Sequence, residues 1–211
     1  MMSWIVKYLA LYHDMQESLQ ESIRKACGTQ IPSASKVLAA DMPLLDAVIE
    51  EVARHMNVQP SIQREAMVDT TILGYKIPKG TEVFPIPNGA SIIRPAFSID
   101  DKVRTTACLA NKNRVRPWNV NDIHEFKPER WLKQTGNEVR FDPQAGPTLA
   151  FGLGIRGCLG RRFAYMQLRL LVVLLVLNFE FQPVPSQLAD MKVVHKLMRE
   201  PVHTYVVLKA L

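Results

Sequence analysis

The sequence predicts a mainly α protein with small antiparallel β-sheets, an α+β fold. Two stretches, residues 42–56 and 161–177, carry apolar side chains at helical spacing and predict strong helices. Residues 69–84 contain short β-type runs broken by Gly and Pro, which is typical of a small antiparallel sheet. No repeated strand–helix–strand pattern is present, so a parallel sheet is not expected.

The first segment, residues 3–26, is predicted to form one broken helix or two. Apolar side chains recur at helical spacing in both halves of the segment: Trp4, Ile5, Tyr8 and Leu9, then Leu19, Ile23 and Cys27. Residues 28–33 are predicted to form a loop, since they begin with Gly and contain Pro32.

For the helix of residues 42–56, the sequence predicts both where the helix starts and which face is buried. Asp41 and Pro43 are favourable residues for a first helical turn. The apolar stripe consists of Leu45, Val48, Ile49 and Val52. The small sheet of residues 69–84 follows this helix.

Residues 85–121 are predicted to be largely irregular. A stretch this long without secondary structure is typical of an exposed functional or lineage-specific loop. Short helical turns are expected in residues 122–132, around Pro128. After the helix of residues 161–177, short strands are expected at residues 179–183, 192–196 and 203–208.

Composition restricts the classes of function. Of the 211 residues, 47% are hydrophobic and 22% are charged, which is typical of a packed globular chain. The formal charge of +6 is compatible with nucleic acid, an anionic membrane surface or an acidic protein as partner. Because no run of Lys and Arg occurs, we expect no nucleic-acid binding.

Cysteine usage and hydropathy indicate an intracellular, reducing compartment. The three cysteines are odd in number and form no CxxC pair, so neither a disulfide framework nor a zinc site is expected. The longest apolar run, residues 170–177, is far shorter than the ~20 residues that cross a bilayer. Since residues 1–12 show no cleavage site, we expect a helix there and neither a signal peptide nor a membrane anchor.

The segment from Phe151 to Gly160, Phe-Gly-Leu-Gly-Ile-Arg-Gly-Cys-Leu-Gly, is the most informative motif. Cys158 comes directly before a predicted long helix, where unpaired N–H groups and the helix dipole stabilise a thiolate. A lone cysteine at a helix start is more often a small buried residue. A dinucleotide-binding spacing overlaps the motif at Gly152, Gly154 and Gly157, with Glu180 beyond it. The apolar run before Gly152 is too short for a buried parallel strand, which argues against nucleotide binding.

The spacing of this motif resembles the haem-binding signature of the cytochrome P-450 family. The resemblance implies haem b, iron protoporphyrin IX, with Cys158 as the thiolate ligand of the iron. It implies that Gly154 lets the chain pass close to the porphyrin and that Arg156 binds a propionate. Phe151 would shield the sulfur, and backbone donors around Gly160 would tune the iron.

Two more motifs precede Cys158 in the order that the family shows. Glu51-Val-Ala-Arg54 resembles its E-x-x-R helix motif, and the segment around Arg130 resembles its P-E-R-F/W motif. Taken alone, an (i, i+3) Glu/Arg pair is usually a surface ion pair. The resemblance implies a buried ionic triad of Glu51, Arg54 and Arg130, and it implies that Arg64 contacts a second propionate.

The resemblance covers nearly the whole chain, from Trp4 onward, so residues 1–211 are expected to form one partial domain. This domain corresponds to the C-terminal portion of the cytochrome P-450 fold, with the N-terminal half absent. Proton-delivery residues belong to that half, so no general acid or base is assigned. We expect apolar surface on residues 4–11 and 170–177 to be exposed. Substrate contacts are expected from residues 58–64 and 198–202.

The implied activity is monooxygenation by a truncated haem-thiolate enzyme, with an electron-donating reductase and a small organic substrate as partners. Three basic residues near the cysteine, Arg161, Arg162 and Arg169, either face an acidic reductase or form a solvated helix face. Family members are often anchored to the endoplasmic reticulum, but no anchor occurs in this sequence. The alternatives are a non-catalytic remnant or interaction module that assembles no haem, and an NAD-dependent oxidoreductase.

Overall fold

The computed structural model describes all 211 residues, which form α-helices, short 3₁₀ turns and short strands. The helices are α1 (Met2–Leu11), α2 (His13–Cys27), α3 (Ala34–Ala39), α4 (Pro43–His55), α5 (Thr106–Asn111) and α6 (Arg161–Asn178). The strands are β1 (Arg64–Glu65), β2 (Thr70–Ile72), β3 (Tyr75–Ile77), β4 (Glu82–Val83), β5 (Leu132–Thr135), β6 (Glu138–Phe141), β7 (Phe179–Gln182), β8 (Val193–His195), β9 (Arg199–Pro201) and β10 (Val207–Ala210).

The strands form five two-stranded antiparallel sheets: β1–β4, β2–β3, β5–β6, β7–β10 and β8–β9. The predicted class, mainly α with small antiparallel sheets, is therefore confirmed. No strand leads directly into Gly152, since β6 ends at Phe141, and no sheet is parallel. The glycine spacing around Gly154 thus lacks the strand–turn–helix context that nucleotide binding requires.

Helices α1 and α2 confirm that the first segment is broken. The break falls at Tyr12, and Gln16 Nε2 donates to Leu9 O across it at 3.3 Å. The expected exposure of the α1 stripe was wrong, because Trp4, Ile5, Tyr8 and Leu9 are all at most 4% exposed. Helix α1 contacts α2, α4, β7 and β9, and these elements cover the stripe on several sides.

The main core forms where α1, α2, α4 and α6 meet. Helix α4 begins at Pro43, as predicted, and its stripe of Leu45, Val48, Ile49 and Val52 is fully buried. On α6, Val172, Val173 and Val176 are buried, whereas Leu171 is 46% and Leu174 37% exposed. The expected exposure of residues 170–177 therefore holds for one face of α6 only.

The C-terminal strands differ from the sequence expectation. A strand was expected at residues 203–208, but β10 occupies Val207–Ala210 and a further strand, β9, precedes it. Strand β10 is exposed along its length and pairs with β7, while β9 pairs with β8. Because pairing of backbone groups decides these boundaries, side-chain alternation did not reveal them.

Helix α3 and the β5–β6 hairpin were not expected from the sequence. Helix α3 has only six residues, and Ser33 caps it by accepting a hydrogen bond from Lys36 N. Residues 85–121 are largely irregular, as predicted, apart from α5 and a 3₁₀ turn at Asp101–Val103. None of the helices combines the length and the apolar character needed to cross a membrane.

Candidate functional site

Glu51 is fully buried at the centre of the predicted ionic triad. Arg54 Nε donates to Glu51 Oε2 and its Nη2 to Oε1, each at 2.8 Å. Arg130 Nε donates to Oε1 at 2.9 Å. The triad predicted from the two motifs is thus confirmed, and Trp131, which the sequence did not suggest, joins it through Nε1 at 2.8 Å from Oε2.

Electrostatics at Glu51 are governed by these donors. Burial alone would raise the pKa of the carboxyl group, but hydrogen bonds from Arg54 and His55 outweigh burial and hold the pKa well below its usual range. The remaining donors of Arg54 reach Ile92 O at 2.5 Å and Ile123 O at 2.7 Å. The triad therefore fastens three separate segments of chain to α4.

The loop of residues 151–160, which we call the cysteine loop, is held by its own backbone. Cys158 N donates to Phe151 O at 2.7 Å, and Gly157 N donates to Gly154 O at 3.0 Å. Gly152 and Gly154 have φ values of +67° and +65°, in the region that favours glycine. The loop ends at Gly160, which precedes α6, so Cys158 lies beside the helix N-terminus.

A cavity of about 670 Å³ adjoins the cysteine loop and contains Cys158 and Phe151 in its wall. The other lining residues are Met1, Met2, Val58, Gln59, Ala150, Ala164, Gln167, Leu168, Leu171, Leu197 and Met198. This volume falls within the ~300–1,000 Å³ typical of small-molecule sites. The wall is mostly apolar, and Cys158 supplies its one thiol.

The structure brings some of the predicted site residues together and leaves others apart. Phe151 and Cys158 line the cavity, and the Cβ position built on Gly160 lies 3.9 Å from Cys158 Sγ. No atom lies within 4 Å of the Cβ position built on Gly154, so the loop is open there. The side chains of Arg156 and Arg64 are exposed and do not line the cavity.

Both segments expected to contact substrate reach the cavity, through Val58 and Gln59 on one side and Met198 on the other. Sequence reasoning missed the contribution of α6, which supplies Ala164, Gln167, Leu168 and Leu171. These four positions have the i, i+3, i+4, i+7 spacing of one helix face. That spacing, together with the position of Cys158, was the signal that could have identified them.

Two of the three arginines near the cysteine have partners inside the protein. Arg169 Nη1 contacts Asp46 Oδ2 at 2.6 Å, and its Nη2 donates to Ala40 O at 2.7 Å. Arg161 Nη2 lies 3.3 Å from Glu50 Oε1. Arg162 is exposed and has no ion-pair partner. The choice between a surface that faces an acidic reductase and a solvated helix face therefore stays open, and Arg162 is the arginine whose charge is left for either.

Comparison with known proteins identifies one family. The sequence model of the family described as Cytochrome P450 matches residues 1–91 and 121–207. Cytochrome P450 monooxygenase TRI13 from Fusarium sporotrichioides is 40% identical over 96% of this chain, which corresponds to 38% of that protein. Hps1-dma1 cluster cytochrome P450 monooxygenase cyp3.1 from Dothistroma septosporum is 35% identical, with 97% of this chain and 70% of that protein covered.

Solved structures show the same relationship at the level of the fold. A zebra fish cytochrome P450 with abiraterone superimposes with a TM-score of 0.72 at 27% identity, covering 99% of this chain and 43% of that one. The cytochrome P450 CYP102L1 gives a TM-score of 0.73 at 23% identity, over 99% and 41% of the two chains. The chain spans about two fifths of the solved structures and 38% of TRI13. Its fold is therefore a partial fold of this type.

Proposed function

The chain belongs to the cytochrome P450 family, and on this premise we propose that it forms the haem-ligating part of a haem-thiolate monooxygenase. Cys158 would be the ligand of the iron of haem b. Residues 1–211 would act as one partial domain that holds the cofactor on the side of the cysteine loop. Its partners would be an electron-donating reductase and a small organic substrate.

One observation carries this proposal: a single thiol stands in the wall of a large apolar cavity, beside the N-terminus of α6. The residues present fit a flat, mostly apolar cofactor attached by one sulfur. The cavity wall offers apolar contact area, and Cys158 is its one thiol, which as a thiolate is a soft metal ligand. No cluster of three His, Cys, Asp or Glu side chains suited to a metal ion is present, so the iron would be held mainly by the porphyrin.

Several residues would then hold and shape the site. Cys158 lies beside the N-terminus of α6, where its sulfur would ligate the iron. Gly154, with no atom within 4 Å of its Cβ position, would leave room for the porphyrin. Phe151 would shield one side of the sulfur, and backbone groups near Gly160 would donate toward it. Arg156 and Arg64 would turn toward the propionates, which is sterically feasible because both side chains are exposed.

The bound haem would supply activation of oxygen, with the thiolate donating electron density to the iron. The chain's own contribution is to bind and orient. Val58, Gln59 and Met198 would contact the substrate from two sides. The apolar face of α6 would exclude water from the pocket, which strengthens electrostatic interactions within it.

The test is the absorption spectrum of the haem-loaded chain, reduced under carbon monoxide. We expect a Soret band shifted far to the red, as thiolate ligation produces, and its loss in Cys158→Ala. Cys108→Ala is the matched control, since Cys108 is exposed on α5, away from the cavity. A band at the ordinary haem position, or no band, would contradict the proposal and favour a chain that assembles no haem.

A further inference from the structure

Glu50 is a buried carboxylate that the proposed function does not use. It precedes Glu51 on α4, and its side chain is 3% exposed. Tyr165 donates its hydroxyl hydrogen to Glu50 Oε1, and Arg161 Nη2 lies 3.3 Å from the same oxygen. The second oxygen, Oε2, is buried and has no hydrogen-bond partner.

The two partners of Glu50 connect it to the cysteine loop. The guanidinium of Arg161 lies 5.8 Å from the centre of the Phe151 ring and 5.4 Å from that of Tyr165. The rings of Phe151 and Tyr165 are themselves 5.2 Å apart. Phe151 O in turn accepts the amide hydrogen of Cys158 at 2.7 Å. A continuous chain of contacts therefore runs from Glu50 to the backbone of Cys158.

We propose that Glu50 is a positioning residue for Cys158: through Tyr165 and Arg161 it fixes Phe151, and thereby the conformation in which the cysteine loop presents its sulfur. The inference rests on the proposed function only where it states that the positioned sulfur ligates haem iron. The mechanical part, that Glu50 holds the loop, concerns the chain itself.

Burial of a carboxylate here calls for an explanation, because an uncompensated buried charge is costly. Burial raises the pKa of Glu50, while the hydrogen bond from Tyr165 and the charge of Arg161 oppose that rise. A cavity of about 20 Å³, lined by Glu50, Arg161 and loop residues including Gly152, adjoins the group. Such a volume accommodates one water, which would satisfy Oε2 and reach the loop.

Asp46 provides a matched control on the same helix. It lies one turn before Glu50, its side chain is 21% exposed, and it also pairs with an arginine of α6, Arg169. Its hydrogen bonds involve Arg169 and none of the residues of the cysteine loop. A general loss of buried ion pairing between α4 and α6 would therefore affect both acids, whereas a positioning role belongs to Glu50 alone.

The first experiment measures amide hydrogen exchange of the haem-free chain in a peptide that covers residues 151–160. Glu50→Gln and Tyr165→Phe are each expected to speed exchange there on the order of tenfold. Tyr165→Phe removes the hydrogen bond to Glu50, and Glu50→Gln removes the charge that strengthens the contacts with Tyr165 and Arg161. Asp46→Asn is expected to leave this peptide unchanged. Tyr165→Phe provides a second test if Glu50→Gln folds poorly, since Phe keeps the packing of the ring.

The second experiment measures the Soret band of the reduced, carbon monoxide-bound chain after haem loading. We expect Glu50→Gln to lower the thiolate-type fraction and Asp46→Asn to retain it. Exchange and spectrum unchanged in Glu50→Gln, or changed equally in Asp46→Asn, would overturn the inference. If the wild-type chain binds no haem, the proposed function fails, but the exchange experiment still decides the role of Glu50.

Discussion

Glu51 accepts hydrogen bonds from two guanidinium groups, one indole and one backbone amide, that of Lys127. Its partners come from α4, from Lys127 and from the 3₁₀ turn at Pro128–Trp131 that follows it, which lie far from α4 in sequence. Removal of one member of a buried ionic group leaves the others as uncompensated charges. Glu51 is therefore expected to contribute more to the free energy of unfolding than any single ion pair on the surface.

Replacement of Glu51 by Gln should destabilise the chain by about 3–5 kcal/mol, because Arg54 and Arg130 would stay buried without their counter-charge. Urea unfolding followed by tryptophan fluorescence measures this difference. Glu129→Gln is the control, since Glu129 is exposed and forms no ion pair, and it should change stability by no more than about 0.5 kcal/mol. Equal effects of the two substitutions would show that the triad does not stabilise the fold.

Trp118 and Gly146 illustrate what a residue pattern does not reveal. A Cβ on Gly146 would lie 2.4 Å from Trp118 Cε2, so only Gly fits beneath this ring. Trp118 Nε1 donates to Pro147 O at 2.9 Å, and the Trp118 ring packs edge-on against Trp131 at 4.9 Å. The irregular segment that contains Trp118 is thereby attached to the same core as the triad.

At the scale of elements, α1 shows most clearly how the surroundings decide burial. Its apolar stripe predicted a helix correctly. The stripe was expected to be exposed, but α2, α4, β7 and β9 cover it. Trp4 is 1% exposed, and its Nε1 lies 3.5 Å from Arg199 O in β9. Helix α1 is thus an integral part of the core formed by this chain.

Trp4→Ala is expected to destabilise the chain by about 3–5 kcal/mol, the usual cost of removing a large buried aromatic side chain. Thermal or urea unfolding followed by circular dichroism measures the change. Phe97→Ala serves as control, because Phe97 is 79% exposed and should contribute little. A Trp4→Ala variant as stable as the control would show that α1 does not pack on α4 in solution.

At the scale of the whole molecule, three acidic residues of α4 have opposite effects on how stability depends on pH. The pKa of Glu51 is held below its ordinary value of 4.5, so its stabilising contribution is present above pH 4.5 and is lost as pH falls below it. Burial raises the pKa of Glu50 and Asp46. In the folded state these two bind protons more readily than in the unfolded state, so their ionisation lowers stability as pH rises through the folded pKa.

Stability is therefore expected to increase as pH falls through the raised pKa values of Glu50 and Asp46 toward about 4.5, and to decrease at lower pH. The urea midpoint measured across this range tests the prediction. In the double variant Asp46→Asn, Glu50→Gln, the urea midpoint should change less with pH above about 4.5. It should still fall as pH drops below 4.5, because Glu51 is unchanged. A midpoint that falls steadily from neutral pH downward in the wild type would contradict the assignment of these two acids.

The extent of the family match also belongs to this scale. The match omits residues 92–120, and these coincide with most of the segment that the sequence predicted to be irregular. The segment is nevertheless attached to the core through Ile92 O, which accepts from Arg54, and through Trp118. Residues 92–120 lie outside the family match, yet Arg54 of the E-x-x-R motif binds the start of this segment to the core.

The sequence by itself determined the family, the two long helices and the triad, and it singled out Cys158 as the candidate iron ligand. Each depends on local spacing: apolar periodicity for α4 and α6, fixed motif intervals for Glu51, Arg54 and the cysteine. Only the tertiary structure decided the burial of α1, the ends of the C-terminal strands and the link from Glu50 to the cysteine loop. These features arise from contacts between segments distant in sequence, and the energies of such contacts leave no local pattern in the chain.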